Sequence, residues 1–171
     1  MDNFVLTADI LKKAKTYLPI AEKMAFASEY APRCFDRLQI TNGEEQMPPM
    51  YMENTGLKSR YLMYALVIKY LRIDCVETES DALLTEAEYD RFAHILQQLD
   101  RFKRDKDVQN IAYDLVADYY DLDKRFNSQV RGLLEVQNDT VMRQQMISTE
   151  MVKQFPAMME ELKALVEKRG G

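Results

Sequence analysis

The chain has 171 residues, 47% hydrophobic and 30% charged, with five Gly, five Pro and a formal net charge of -5. A length in the range of about 100 to 200 residues predicts one domain, able to bury roughly 70% of its unfolded surface without staples, and the composition excludes a disordered chain. The mild negative charge is spread evenly along the sequence, which excludes both the basic footprint of a nucleic-acid binder and the dense acidic face of a nucleic-acid mimic.

The longest apolar stretch, Tyr61 to Ile68 with Tyr70 and Leu71 beyond Lys69, falls far short of the roughly 20 residues that cross a bilayer. The start, Met1-Asp2-Asn3-Phe4, lacks the basic region and apolar run of a secretory signal. The expectation is a single helical domain over residues 1–171, cytoplasmic, with no membrane partner. In that compartment Cys34 and Cys75 are expected as free thiols, and the sequon Asn138-Asp139-Thr140 reads as a helix start.

The first predicted helix opens at Thr7, whose hydroxyl can cap it, with Asp9 at the positive end of the dipole. Leu11, Ala14, Leu18, Ala21 and Ala25 carry one apolar stripe through Pro19, predicting a kinked helix or two abutting helices over 7–30. Pro32 ends the run. Residues 40–56, with the turn signal Asn42-Gly43 and the pair Pro48-Pro49, predict one long ordered loop carrying Met47, Met50, Tyr51 and Met52. A second helix over 56–72 is apolar nearly all round and is expected to be the most buried element.

Thr85 with Glu88 forms a capping box for a third helix reaching about Arg104. Tyr89, Phe92, Leu96 and Leu99 give it an inward face. The fourth helix, over 107–136, keeps the helical period through Val108, Ala112, Leu115, Tyr119, Leu122, Phe126, Val130 and Leu133. Asn138 or Asp139 is expected to cap a last helix ending at Lys168-Arg169 before Gly170. The implied fold class is all-α, an antiparallel bundle of five or six helices with the 40–56 loop.

Catalytic chemistry is sparse. His94 is the only histidine, which removes most metal clusters and nucleophile–base pairs. Cys34 beside Arg33 is a better nucleophile candidate than Cys75, which Asp74 and Glu77 flank. Asp107, Asp114, Asp118 and Asp121 fall within roughly 60° of one another on the fourth helix, but the apolar residues centre elsewhere, so a solvated flank is expected. A magnesium-dependent phosphohydrolase using Asp114, Asp118 and Asp121 is the alternative. Gly56-Leu57-Lys58-Ser59 lacks the glycines and the preceding strand of a phosphate-binding loop.

Two surfaces remain. Lys58 and Arg60 lie in the first turn of the second helix, where positive charge opposes the macrodipole. With Asn54 and Thr55 they form a candidate small-anion or nucleotide site, the plain alternative being neutralisation by Glu44, Glu45 or Glu53. The other surface is the last helix, whose Met151, Val152, Phe155, Met158, Met159, Leu162, Leu165 and Val166 share an arc of roughly 140°. Pro156 within it should kink the helix and splay its end. The functional expectation is a non-catalytic binding or assembly module without a cofactor. It would associate with itself as a two-fold homodimer, or with a helical protein partner, through the C-terminal helix.

Overall fold

The computed structural model describes residues 3–39, 41, 42, 45, 46, 49–74, 76–80 and 82–169, with the backbone alone at 41, 42, 45, 46, 80 and 161–169. Helices dominate: α1 (Ala8–Lys13), α2 (Ile20–Tyr30), α3 (Thr55–Tyr64), α4 (Glu86–Phe92), α5 (Ile95–Phe102) and α6 (Gln109–Arg169). Among the described residues, no helix is long and apolar enough to cross a membrane. Contacts divide the chain into two units, Met1–Asp36 with Glu53–Leu133, and Arg37–Met52 with Leu134–Gly171.

The first unit holds the core. Thr7 caps α1, its Oγ1 accepting from the Ile10 N–H. The chain is non-helical from Ala14 to Pro19, so the apolar period does not carry across the gap. The stripe α2 buries is therefore Lys23, Phe26, Ala27 and Tyr30, not the expected Ala21 and Ala25, which are exposed. Ahead of α1, the Gln98 side chain clamps an extended segment, donating to the Phe4 carbonyl at 2.8 Å and accepting from the Leu6 N–H at 2.7 Å.

Asn54 caps α3 through a bond from the Leu57 N–H at 2.9 Å. Beyond Tyr64 the helix widens into a π turn, Ala65–Tyr70, in which the Leu71 N–H reaches the Leu66 carbonyl at 3.0 Å. Arg72 then takes a left-handed conformation, φ 55, which stops the helix. Tyr61, Leu62, Met63, Ala65, Leu66, Val67, Tyr70 and Leu71 are all buried. The short hairpin β5 (Thr78–Ser80) and β6 (Leu83–Leu84) comes next and packs on α3.

Thr85 caps α4, accepting from the Glu88 N–H at 3.2 Å. The box is half-formed, because the Thr85 N–H goes to the Glu77 carbonyl and the Glu88 carboxylate pairs with Arg91. The expected third helix breaks in two at Ala93 and His94. Asp105 separates α5 from α6 by accepting from the Asp107 and Gln109 N–H groups. The apolar period of α6 is buried from Val108 to Val130.

Two further expectations need correction. Residues 40–56 are not one loop. Strands β1 (Phe35–Leu38) and β4 (Met50–Glu53) pair, as do β2 (Thr41–Asn42) and β3 (Glu45–Gln46), where Thr41 faces Gln46 and Asn42 faces Glu45. The expected turn residue Gly43, with Glu44, Met47 and Pro48, lies outside the described residues. Pro49 precedes β4 and needs no ladder bond there.

The second correction concerns α6, which is one helix of 61 residues and does not break near residue 137. Asn138 caps nothing. Within the second unit its side chain accepts from the Tyr51 N–H at 3.0 Å and donates to the Tyr51 carbonyl at 3.2 Å, closing the edge of β4 as a neighbouring strand would. Thr140 returns its hydroxyl to the Val136 carbonyl, so neither polar side chain competes with the helix.

Gly132 sits in the interior of α6, and a Cβ added there meets nothing within 4 Å. Gly132→Ala is therefore expected to raise unfolding stability by about 0.5–1 kcal/mol, measured by urea titration. A loss of stability would show that the bare backbone is needed there.

Candidate functional site

The most polar point of the first unit's core is an ammonium. Lys23 is 1% exposed on the buried stripe of α2, and its Nζ donates to Asp118 Oδ1 at 2.5 Å and to Asp121 Oδ2 at 3.0 Å. Asp118 Oδ2 accepts two more bonds, from the Leu18 N–H at 2.9 Å and the Tyr70 hydroxyl at 2.8 Å. Arg125 holds Asp121 from one helical turn away at 2.9 Å. Four segments thus converge on one carboxylate pair: the 14–19 linker, α2, the π turn and α6.

Local structure explains the convergence. Pro19, before the first turn of α2, offers no side-chain cap, so Asp118 supplies negative charge near that positive helix end. The π turn holds an extra residue, which rotates the residues after it by about 100° relative to an α-helix, and Tyr70 lies at its end. Burial followed by the Asp118 bond pushes the Tyr70 phenol far above its usual range, so it stays a donor.

Burial by itself would lower the Lys23 pKa, and the bonds and charges of Asp118 and Asp121 outweigh it, holding the ammonium above its ordinary 10.5. Bonds from Arg125 and then Lys23 hold the Asp121 carboxyl below 3.8.

The expected solvated aspartate flank is thus only partly so. Asp114 is exposed, whereas Asp118 is largely enclosed and Asp121 lies partly exposed at its side, and the two are the anionic half of an ion cluster round the buried Lys23. The Lys23 ammonium lies between them, bonded to both. Among the described residues, no group of three His, Cys, Asp or Glu side chains is placed to hold a metal ion. Lys23 escaped the sequence reading, although a lysine at the first position of the 23, 26, 27, 30 stripe is the signal that could have found it.

At the start of α3 the two cations already hold carboxylates. Lys58 is paired with Glu53, one of the three acids expected to neutralise it. Arg60 donates from Nε to the Leu84 carbonyl at 2.6 Å and pairs with Glu79 at 2.6 Å. Asn54 spends its oxygen on the cap and its amide on Asp36. Thr55, the first residue of α3, is exposed. The candidate nucleophile Cys34 is buried, and burial pushes its thiol up to about 12. Cys75 lies outside the described residues. His94 is exposed at the break before α5.

The second unit presents the opposite chemistry. No hydrophobic side chain described in it is buried. Along α6, Val136, Met142, Met146, Ile147, Met151, Val152, Phe155, Met158 and Met159 are exposed, Phe155 by 62% and Met159 by 44%. At about 100° per residue, Ile147, Met151, Val152, Phe155, Met158 and Met159 share an arc of about 140°. Asp139, Arg143, Glu150, Lys153 and Glu160 fall in a separate arc of about 100°, together with Met142 and Met146. Among the described side chains from Gln137 onward, the apolar arc carries no charge. The side chains of Leu162, Leu165 and Val166 lie outside the described residues. The helix continues through Pro156 to Arg169.

Methionine is segregated. Among the described residues, Met63 is the only methionine of the buried core, where leucine occurs eleven times; the exposed large apolar residues include eight methionines and one leucine. These methionines do not fill an irregular core; they are exposed.

Comparison with known proteins finds no family model, no curated protein and no solved structure that matches the chain.

Lys23→Met would strand the part-buried Asp118 charge and is expected to cost about 3 kcal/mol or more of stability. Adding Asp118→Asn should cost less than the sum of the two single changes, since no lone charge remains. The pH dependence has two edges. Lys23, with its folded pKa raised, stabilises fully below pH 10.5 and loses that contribution as pH rises through the folded value. Asp121, with its folded pKa lowered, stabilises above pH 3.8 and loses that contribution as pH falls through its folded value. Urea titrations across pH should show both edges soften in Lys23→Met. Unchanged edges would mean that other groups set them.

Proposed function

We propose that this chain is a non-catalytic assembly module, an antiparallel helical bundle of the cytoplasm that forms a homodimer through the C-terminal half of α6. The observation that carries the reading is the uncharged apolar arc of Ile147, Met151, Val152, Phe155, Met158 and Met159, exposed on the part of α6 that belongs to the second unit, where no described hydrophobic side chain is buried. Such an arc is a patch of roughly several hundred Å², which soluble monomers rarely leave open. It is also wider than the strict a/d seam of a two-stranded coil.

Charge selects among occupants. The helix from Leu134 onward carries six acidic and five basic residues, so it lacks the basic face that draws an amphipathic helix to anionic lipid. A second copy brings the same uncharged arc, with no like charges to appose and the charged arcs left in water. A closed two-fold pair is the simplest symmetric solution. Pro156 has no N–H for the Val152 carbonyl, and that carbonyl is a natural acceptor for a polar group of the partner.

Sedimentation at micromolar concentration tests the reading. The wild-type chain is expected as a dimer, and Phe155→Glu with Met159→Glu as a monomer of unchanged circular dichroism. A wild-type monomer would refute the proposal. A double variant that unfolds would assign these side chains to an internal core.

A further inference from the structure

Five thioethers stand exposed along 18 residues of α6: Met142, Met146, Met151, Met158 and Met159. Helical phase sorts them into two sets. Met151, Met158 and Met159 lie in the uncharged apolar arc, while Met142 and Met146 lie among the charged residues. The three seam thioethers make up half of the six large apolar residues of that arc, so its apolar character depends on the oxidation state of sulfur.

We propose that Met151, Met158 and Met159 form an oxidation site at which hydrogen peroxide, or another two-electron oxidant of its class, turns assembly off. The inference rests on the homodimer reading above. In the reaction a sulfur lone pair attacks a peroxide oxygen, the O–O bond breaks and an S–O bond forms. The sulfur loses two electrons, peroxide is reduced to water after proton transfer, and the product is a sulfoxide. Its S–O dipole accepts hydrogen bonds and is poorly placed in an apolar seam that offers few donors.

The same geometry makes the chemistry self-limiting. A paired chain covers the three seam sulfurs and exposes Met142 and Met146, so the assembled form resists the reagent and the free chain is captured by it. A thioether also suits a reversible device, because sulfoxide reductases restore it. Leucine would give a similar arc with no such response.

The test uses the full-length chain, hydrogen peroxide, peptide mass spectrometry and sedimentation. At concentrations where the untreated protein is dimeric, sulfoxide should form at Met142 and Met146 about tenfold faster than at Met151, Met158 and Met159, following exposure. On the dilute, dissociated chain all five should react at similar rates. Once the seam is oxidised, the protein should sediment at 20.1 kDa with its helical dichroism retained. The variant Met151→Leu, Met158→Leu, Met159→Leu should dimerise and stay dimeric in peroxide. A fully sulfoxidised wild-type dimer that persists would overturn the inference while leaving the homodimer reading standing. Dissociation of the triple leucine variant by peroxide would place the sensitivity elsewhere and also overturn it. An untreated wild-type monomer would overturn the homodimer reading, and the inference with it.

Discussion

An ammonium enclosed by protein is tolerated only while its charge is matched, and the first unit is organised round one such match, Lys23 with Asp118 and Asp121. A lone buried charge costs several kcal/mol. The pair therefore ties the segments that satisfy it to one arrangement in which every charge and donor has its partner. Asp118 is satisfied only when the linker before α2 presents the Leu18 N–H and the π turn presents the Tyr70 hydroxyl. Displacing any one of the four converging segments leaves a polar group without its partner.

Helix α6 runs through two environments that reward different side chains. Up to Val130 its inward face is Val, Ala, Leu, Tyr and Phe, side chains with few rotamers that pack to crystal-like density. Beyond Leu134 the exposed apolar residues are mainly methionine, whose flexible, polarizable chain adapts to varied surroundings. The helix is continuous because nothing near residue 137 stops it. The polar run there is taken up by an inter-segment bond to Tyr51 and by a hydroxyl turned back to its own helix. Asn138, Asp139 and Thr140 thus have the composition of a start signal without acting as one.

Local signals that depend on few neighbours were legible. Thr7 and Thr85, both predicted caps, each accept the capping bond of the helix they precede, the latter at 3.2 Å, whereas Asn54, which the sequence marks only as an anion-site candidate, caps α3 at 2.9 Å. The period of α6 from Val108 to Val130 matches its buried face. Signals that depend on distant partners failed. The two short ladders formed from residues 35–53 pair strands of two to four residues, too short for any period to stand out. The aspartates of α6 were read by their angle to that helix's own apolar face, and a lysine nearly a hundred positions away in α2 changes their meaning. Lys58 shows the intermediate case, since its partner Glu53 lies five residues away.

The sequence by itself determined the helical class, the capped starts at Thr7 and Thr85 and the inward face of α6 up to Val130. It also marked the uncharged arc near the C-terminus, because helical periodicity and capping are properties of neighbours within one or two turns. Tertiary structure alone decided which charges pair with the buried ammonium: Asp118 and Asp121 are held by Lys23 while Asp114 is left in water. It also decided that Asn138 joins a strand edge and that, among the described residues, most methionines lie outside the core while leucine fills it. Each of those outcomes depends on which remote segment a side chain meets, and pairings between remote segments leave no trace in the spacing of either segment.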